Sequence, residues 1–252
     1  MTMLATQPAE SAVSRAFAVL ETLAASPEPM RLSAIALRLG MQKSTVHRIL
    51  TSLAQLGYAE QVEVTSCYRA TLKLWEMGAS VIAGHPVKRA ASAFLEALHR
   101  ATGETVSLTI LSGDDVLYLD KIISPRPVRF TTRVGSRVPA PLTAGGKAML
   151  AHARDARAIA RRAAGRIKDK RRADIDTLMK ELEKVRAQGY ATSSFSPGIV
   201  SFAAPVMARD GSAPAALSVS APLTRLGAKK RGKVIEQVMT ACANMAERVG
   251  DL

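Results

Sequence analysis

Lys43-Ser44-Thr45-Val46-His47-Arg48 crowds ammonium, hydroxyl, imidazole and guanidinium groups into six residues. Such groups bind nucleic acid. Hydroxyls reach phosphates or base edges, and a guanidinium reads guanine or holds a phosphate. A second set of candidates carries no charge. Ser218 and Ser220 alternate with Leu217 and Val219, and Thr105, Ser107 and Thr109 alternate in the same way. In extended chain each set lines one face. Thr143-Ala144-Gly145-Gly146 stands where a helix begins. Its first N–H groups would accept a carboxylate without help from a charged side chain, and the glycines would let a ligand approach the backbone. Hydroxyls beside a helix start suit a small acid.

Other chemistry fails on spacing. The four histidines, at 47, 85, 99 and 152, form no H-x-x-x-H, and Cys67 and Cys242 form no C-x-x-C, so no metal site and no cofactor are expected. Gly146-Lys147 resembles the end of a phosphate loop, but Pro141 stands at the first glycine of that motif and Ala148 at its Ser/Thr. Neither G-x-S-x-G nor G-x-G-x-x-G occurs. An enzyme is not expected.

The first cluster needs a helix to present it. Val13, Ala16, Phe17, Leu20, Leu23 and Ala24 recur at helical spacing, and Pro27 and Pro29 end that helix. Ser33 is a candidate N-cap for a short helix over Ala34 to Leu39, and Gly40-Met41 makes a tight turn. The next helix runs from about Gln42 to Leu56. Val46, Ile49, Leu50 and Leu53 face inward, and Lys43, Ser44, Thr45, His47, Arg48 and Thr51 face outward. Gly57 stops it. Strand-like runs over Tyr58 to Val62 and Cys67 to Ala70 then form a wing that carries Arg69, which would meet the DNA backbone or the minor groove. A short helix, a tight turn and a second helix with a polar, basic N-terminal face is the logic of a helix-turn-helix. Its second helix fits the major groove of duplex DNA.

Charge is distributed unevenly. The chain has 252 residues, with 35 Lys+Arg and 21 Asp+Glu for a net charge of +14. Residues 1–80 carry only +1, which implies weak binding per copy, and a dimer with two modules on two half-sites would remedy that. Arg154 to Arg172 holds nine basic residues. That stretch is either a solvated face or a contact for nucleic acid or an acidic partner. No apolar run approaches the roughly 18–20 residues of a membrane span, and Met1 to Glu10 has no signal-peptide pattern. A cytoplasmic protein without a membrane partner is expected. The two cysteines are read as reduced thiols, with a pair possible in principle.

Leu32 to Glu60, LSAIALRLGMQKSTVHRILTSLAQLGYAE, resembles the DNA-binding domain of the IclR family of bacterial transcription regulators. The resemblance continues through TLKLWEMG, ending at Gly78, through LTAGGKAMLA at Leu142 to Ala151, and through GIVSFAAPVMARDGSAPAALSVSAPLTR at Gly198 to Arg225. It spans essentially the whole chain. It implies a linker helix that often serves dimer contacts and a GAF-like second domain. It also implies effector contacts at Ala144, Gly145, Ser201, Ser218 and Ser220. The chain departs from the family pattern in three places. Residues 189–198 lack the acidic residues common there, Ser201 replaces a frequent Cys, and Pro141 replaces a frequent His. An altered effector pocket follows.

The expected fold class is therefore α+β. Residues 1–10 form a flexible N-terminus and 11–70 the winged helix-turn-helix. A linker helix occupies 71–85, and 86–252 form an effector-binding and oligomerisation domain. In that domain a helix is expected over Val87 to Ala101. Strands are expected over Thr105 to Leu111, Val116 to Ile123, Val128 to Val134, Val200 to Ala208 and Pro214 to Ala221. Helices are expected over Thr143 to Ala164, Asp174 to Gln188 and Lys229 to Val249. Hairpins dominate, so the sheet should be mainly antiparallel. The expected partners are double-stranded operator DNA, a small organic-acid effector and a second copy of the chain, as a dimer or a dimer of dimers. The competing expectation is a DNA-binding protein whose second domain serves only in oligomerisation.

Overall fold

A computed structural model describes residues 11–127, 132–169 and 173–249. Residues 1–10, expected to be flexible, lie outside them. The chain divides into two units, Met1–Ile82 and Ala83–Leu252.

In the first unit α1 (Ala12–Ala24) is capped by the Ser11 hydroxyl, which accepts from Ser14 N–H. Helix α2 covers Leu32–Leu39 and α3 covers Lys43–Gln55. Gly40, at φ +62°, closes α2 in the left-handed region, and Met41 N–H bonds back to Ala36 O. The hairpin β1 (Ala59–Val62) and β2 (Cys67–Ala70) forms the wing. Val19, Leu23, Ile35, Val46, Leu50 and Leu53 join Tyr68 of the wing in one core. Ser33 is not the cap of α2. Met30 exchanges two backbone hydrogen bonds with Tyr68, which keeps the chain extended until just before Leu32. The helix therefore starts after Arg31, with Ser33 inside its first turn. Helix α4 covers Lys73–Ala83. Its start is tied to the end of α3: Lys73 Nζ donates to Leu56 O at 2.7 Å and Thr71 Oγ1 to Gly57 O at 2.6 Å.

Among the described residues the second unit holds a six-stranded antiparallel sheet in the order β5-β4-β3-β8-β7-β6. Its strands are β3 (Thr105–Ser112), β4 (Asp115–Ile122), β5 (Arg137–Pro139), β6 (Ala191–Ser193), β7 (Ile199–Val206) and β8 (Ala215–Pro222). Helices α5 (Pro86–Thr102) and α9 (Ala228–Val249) pack against the sheet face that carries Leu108, Leu217 and Phe202. Helix α6 (Ala144–Leu150) packs on the other face, backed by α7 (Ala156–Ala164) and α8 (Ile175–Gln188). Buried Glu104, at the start of β3, takes ion pairs from Arg126 and Arg225.

Three expectations change here. The helix expected over Thr143 to Ala164 is two helices, α6 and α7, separated by residues 151–155. The strand expected over Val128 to Val134 falls partly on 128–131, outside the described residues. Thr132, Arg133 and Val134 are not strand, and β4 pairs instead with Arg137–Pro139. Strand β6 has no counterpart among the expected elements. Among the described residues no helix is long and apolar enough to cross a membrane, and no cluster of His, Cys, Asp or Glu is arranged to hold a metal.

Candidate nucleic-acid interface and ligand pocket

On α3 the core stripe and the polar face separate as helical geometry requires. Val46 and Leu50 are fully buried, while Lys43, Ser44, His47 and Arg48 are exposed and Thr45 is half-buried. Gln42, the N-cap, makes no side-chain bond to the helix, so the first-turn N–H groups are left without a cap. These donors and the positive end of the helix dipole favour phosphate. Thr51 and Ser52 turn their hydroxyls back onto His47 O and Arg48 O, which removes them from the outward donors. Arg69 sits opposite Glu60 in the wing and pairs with it through Nε, leaving its Nη groups as donors. All six expected DNA-contacting residues therefore lie on the winged helix unit, with Arg69 partly engaged.

Three arginines of the basic stretch from Arg154 are ion-paired among the described residues. Arg162 pairs with Asp114 at 2.8 Å, Arg166 with Asp115 at 2.9 Å and Arg157 with Asp176 at 2.8 Å. Positions 170–172 lie outside the described residues.

The pocket is built on the hydroxyl face of the sheet. Antiparallel register sets Ser193 opposite Ser201, Ser201 opposite Ser220, and Ser220 opposite Thr105. One row further, Ser218 lies opposite both Ala203 and Ser107. Opposed residues share a face, so serines from β6, β7 and β8 form a polar floor. Above it stands the first turn of α6. The cavity between them measures about 150 Å³. All five expected effector residues, Ala144, Gly145, Ser201, Ser218 and Ser220, line it. Val138, Leu142 and Phe195 add apolar wall, and among the described residues none that lines it carries a charge.

Thr143 caps α6, accepting from Gly146 N–H at 2.9 Å. Gly146 is thus not a ligand donor, and among the described residues the N–H groups of Ala144 and Gly145 find no protein acceptor. Both glycines also have packing reasons. A Cβ on Gly146 would lie 2.1 Å from Ala140 O, and one on Gly145 would lie 2.6 Å from Thr109 Oγ1. Ser201 and Ser220 share a 2.7 Å hydrogen bond. Thr105 and Ser107 share the floor's face but lie outside the cavity. The Thr105 hydroxyl accepts from Ser124 N–H, and Ser107 Oγ is buried without a partner.

Sequence reasoning missed Tyr118, Thr132, Ser193 and Ser196, which also line the cavity. The cause for Tyr118 is a bulge. Leu108 pairs with Asp120 but Thr109 pairs with Tyr118, so one extra residue enters β4. Burial pushes the Tyr118 phenol up to about 12 and the Lys121 ammonium down to about 8.

The family models agree with this layout. Residues 12–63 match the IclR helix-turn-helix domain, and residues 79–247 match the C-terminal domain of bacterial transcriptional regulators of the IclR type. The chain belongs to the IclR family. It is 31% identical to the HTH-type transcriptional regulator KdgR of Dickeya chrysanthemi over 95% of this chain and 80% of that one. It is 32% identical to the regulator BhcR of Paracoccus denitrificans over 93% of this chain and 86% of that one. An IclR homolog from Microbacterium hydrocarbonoxydans, solved in complex with 4-hydroxybenzoate, shares the fold with a TM-score of 0.80 at 22% identity. That match covers 96% of this chain and all of the other. As an IclR-family protein the chain is a DNA-binding transcription regulator, and its relatives are named as regulators rather than enzymes.

Proposed function

We propose that this regulator reads its operator with Lys43, Ser44, Thr45, His47 and Arg48 of α3 in the major groove and with Arg69 of the wing on the backbone. Operator affinity is modulated by a small organic acid in the cavity beneath α6. The acid's carboxylate meets the N–H groups of Ala144 and Gly145, and its body meets Ser201, Ser218 and Ser220. The observation that carries this reading is the pairing of two unbonded N–H groups with a serine floor in one cavity that, among the described residues, no charged side chain lines.

The protein works as a homo-oligomer in the cytoplasm. Leu72, just before α4, and Trp75 and Val81 of α4 are 70–76% exposed, and Phe17 of α1 is 60% exposed, a loss of burial that a second copy would recover. An acid that favours one arrangement of the oligomer shifts its population. The spacing of the recognition helices changes, and so does the fit to two half-sites at fixed separation.

The packing demands on Gly145 and Gly146 favour a second reading, in which the domain serves only oligomerisation and the glycines are small for α6 alone. Thermal shifts against a panel of small carboxylic and aromatic acids separate the two, because a ligand that binds the folded state stabilises it by mass action. A saturable shift that Ser218→Ala weakens supports the effector reading. No shift across the panel, with operator binding intact, supports the second.

A further inference from the structure

We propose that Tyr118 is a ligand-contacting residue that selects effectors bearing an uncharged oxygen in addition to the carboxylate, with Thr132 and Lys121 as its positioning residues. This inference rests on the effector reading above.

The bulge at Leu108/Thr109 is the starting point. Residues three apart normally face opposite sides of a strand. Here Tyr118 opposes Thr109 and Lys121 opposes Ser107, so both turn toward the hydroxyl face. Bulges beside ligand sites re-aim side chains in this way. Lys121 Nζ donates to Thr132 Oγ1 at 2.8 Å and to Thr132 O at 3.0 Å. The Thr132 hydroxyl, having accepted from the ammonium, keeps its own proton to offer, and its place beside the Tyr118 phenol works against the effect of burial there. On this proposal that proton goes to the phenol oxygen, so that donation runs from cation to hydroxyl to phenol and the phenol proton turns to the ligand. Tyr118 and Thr132 both line the cavity. A chain of hydrogen bonds that starts at a cation strengthens the last donor.

The phenol remains protonated at neutral pH, since burial holds it near 12. It therefore offers a proton and no charge. A ketone, hydroxyl or ether oxygen satisfies it. A second carboxylate would bring a second negative charge against a lining that is uncharged among the described residues. A bare hydrocarbon end would leave the phenol proton unpaired.

The test uses full-length protein and matched probes: benzoate with 4-hydroxybenzoate, butanoate with 4-hydroxybutanoate, and pentanedioate as the dianion. Affinities are measured by calorimetry for the wild type, Tyr118→Phe, Thr132→Val and Lys121→Met. The expected result is a preference of about tenfold for the oxygen-bearing member of at least one pair, the worth of one well-placed hydrogen bond. Tyr118→Phe brings the pair level, weakening the oxygen-bearing member and not weakening the bare one, which no longer strands a phenol proton. Thr132→Val and Lys121→Met shrink the preference in part, a readout that a merely structural role would not move. Thr132→Val also carries the test if Tyr118→Phe fails to fold. Equal weakening of both members, an undiminished preference in Tyr118→Phe, or tightest binding of pentanedioate overturns the assignment while leaving the effector reading intact. Absence of binding by every probe, in a protein that still binds its operator, removes the effector reading and the assignment with it.

Discussion

Gly145 is where packing and ligand approach meet, and a double-mutant cycle with Thr109 separates them. In Gly145→Ala the new Cβ would stand 2.6 Å from Thr109 Oγ1, well inside contact, while its next neighbours, Ala216 Cβ and Thr109 Cβ, lie at an ordinary 3.7 Å. The clash is thus with one atom. Over-packing a tight core costs about 1–3 kcal/mol. For a unit of this size that lowers the melting temperature by roughly 2–4 °C per kcal/mol. Thr109→Ala removes the obstructing oxygen and loses only a long bond, 3.3 Å to Ala216 O, at about 1 kcal/mol. The double variant should therefore be more stable than the sum of the two losses by about 1 kcal/mol or more. Denaturant unfolding of the four proteins measures this coupling. Gly146→Ala is the control. Its Cβ meets backbone, 2.1 Å from Ala140 O, so it should destabilise more than Gly145→Ala and gain nothing from Thr109→Ala. Additive losses for Gly145→Ala and Thr109→Ala would refute the packing argument.

Two further outcomes are expected. Arg48→Ala leaves folding intact, because the residue is exposed, and weakens a selected operator duplex by about 1–3 kcal/mol with relaxed preference at one base pair. Fluorescence anisotropy against single-substitution duplexes checks this, and an unchanged affinity and preference would take Arg48 off the base-reading face. Lys121, whose ammonium burial pulls to about 8 against 10.5 in open chain, is protonated in the unfolded but not the folded state between those values. Its contribution to stability therefore rises with pH across that window. The stability of the wild type relative to Lys121→Met should increase from pH 8 to 10.5, and a flat difference would contradict the burial of the ammonium.

Most of the helix-turn-helix was legible because every level of the chain agreed. The stripe of Val46, Leu50 and Leu53 is clean, Gly40 marks the turn, and the strand over Cys67 to Ala70 was expected with the bounds it has. The start of α2 was misread because the bond between Met30 and Tyr68 is a tertiary contact that no local pattern announces. In the second unit, alternation alone set Ser218 and Ser220 on one face of β8. It failed on β4, where the bulge shifts the phase so that Tyr118 and Lys121 share a face with Thr109 and Ser107. The break between α6 and α7 carries no glycine or proline, and the three residues of β6 are too few to show a period. The packing role of Gly146 depends on Ala140 O, which reaches it only after the 3-10 turn at Ala140–Leu142 folds back.

The most direct test of the whole account is operator affinity as a function of a pocket-binding acid. Anisotropy of a labelled operator duplex is titrated with full-length protein, with and without the acid that gives the largest thermal shift, in the wild type and in Ser218→Ala. The account predicts that the acid changes operator affinity several-fold in the wild type and loses most of that effect in Ser218→Ala, whose affinity without the acid is unchanged. An operator affinity indifferent to every acid that binds the protein would contradict it.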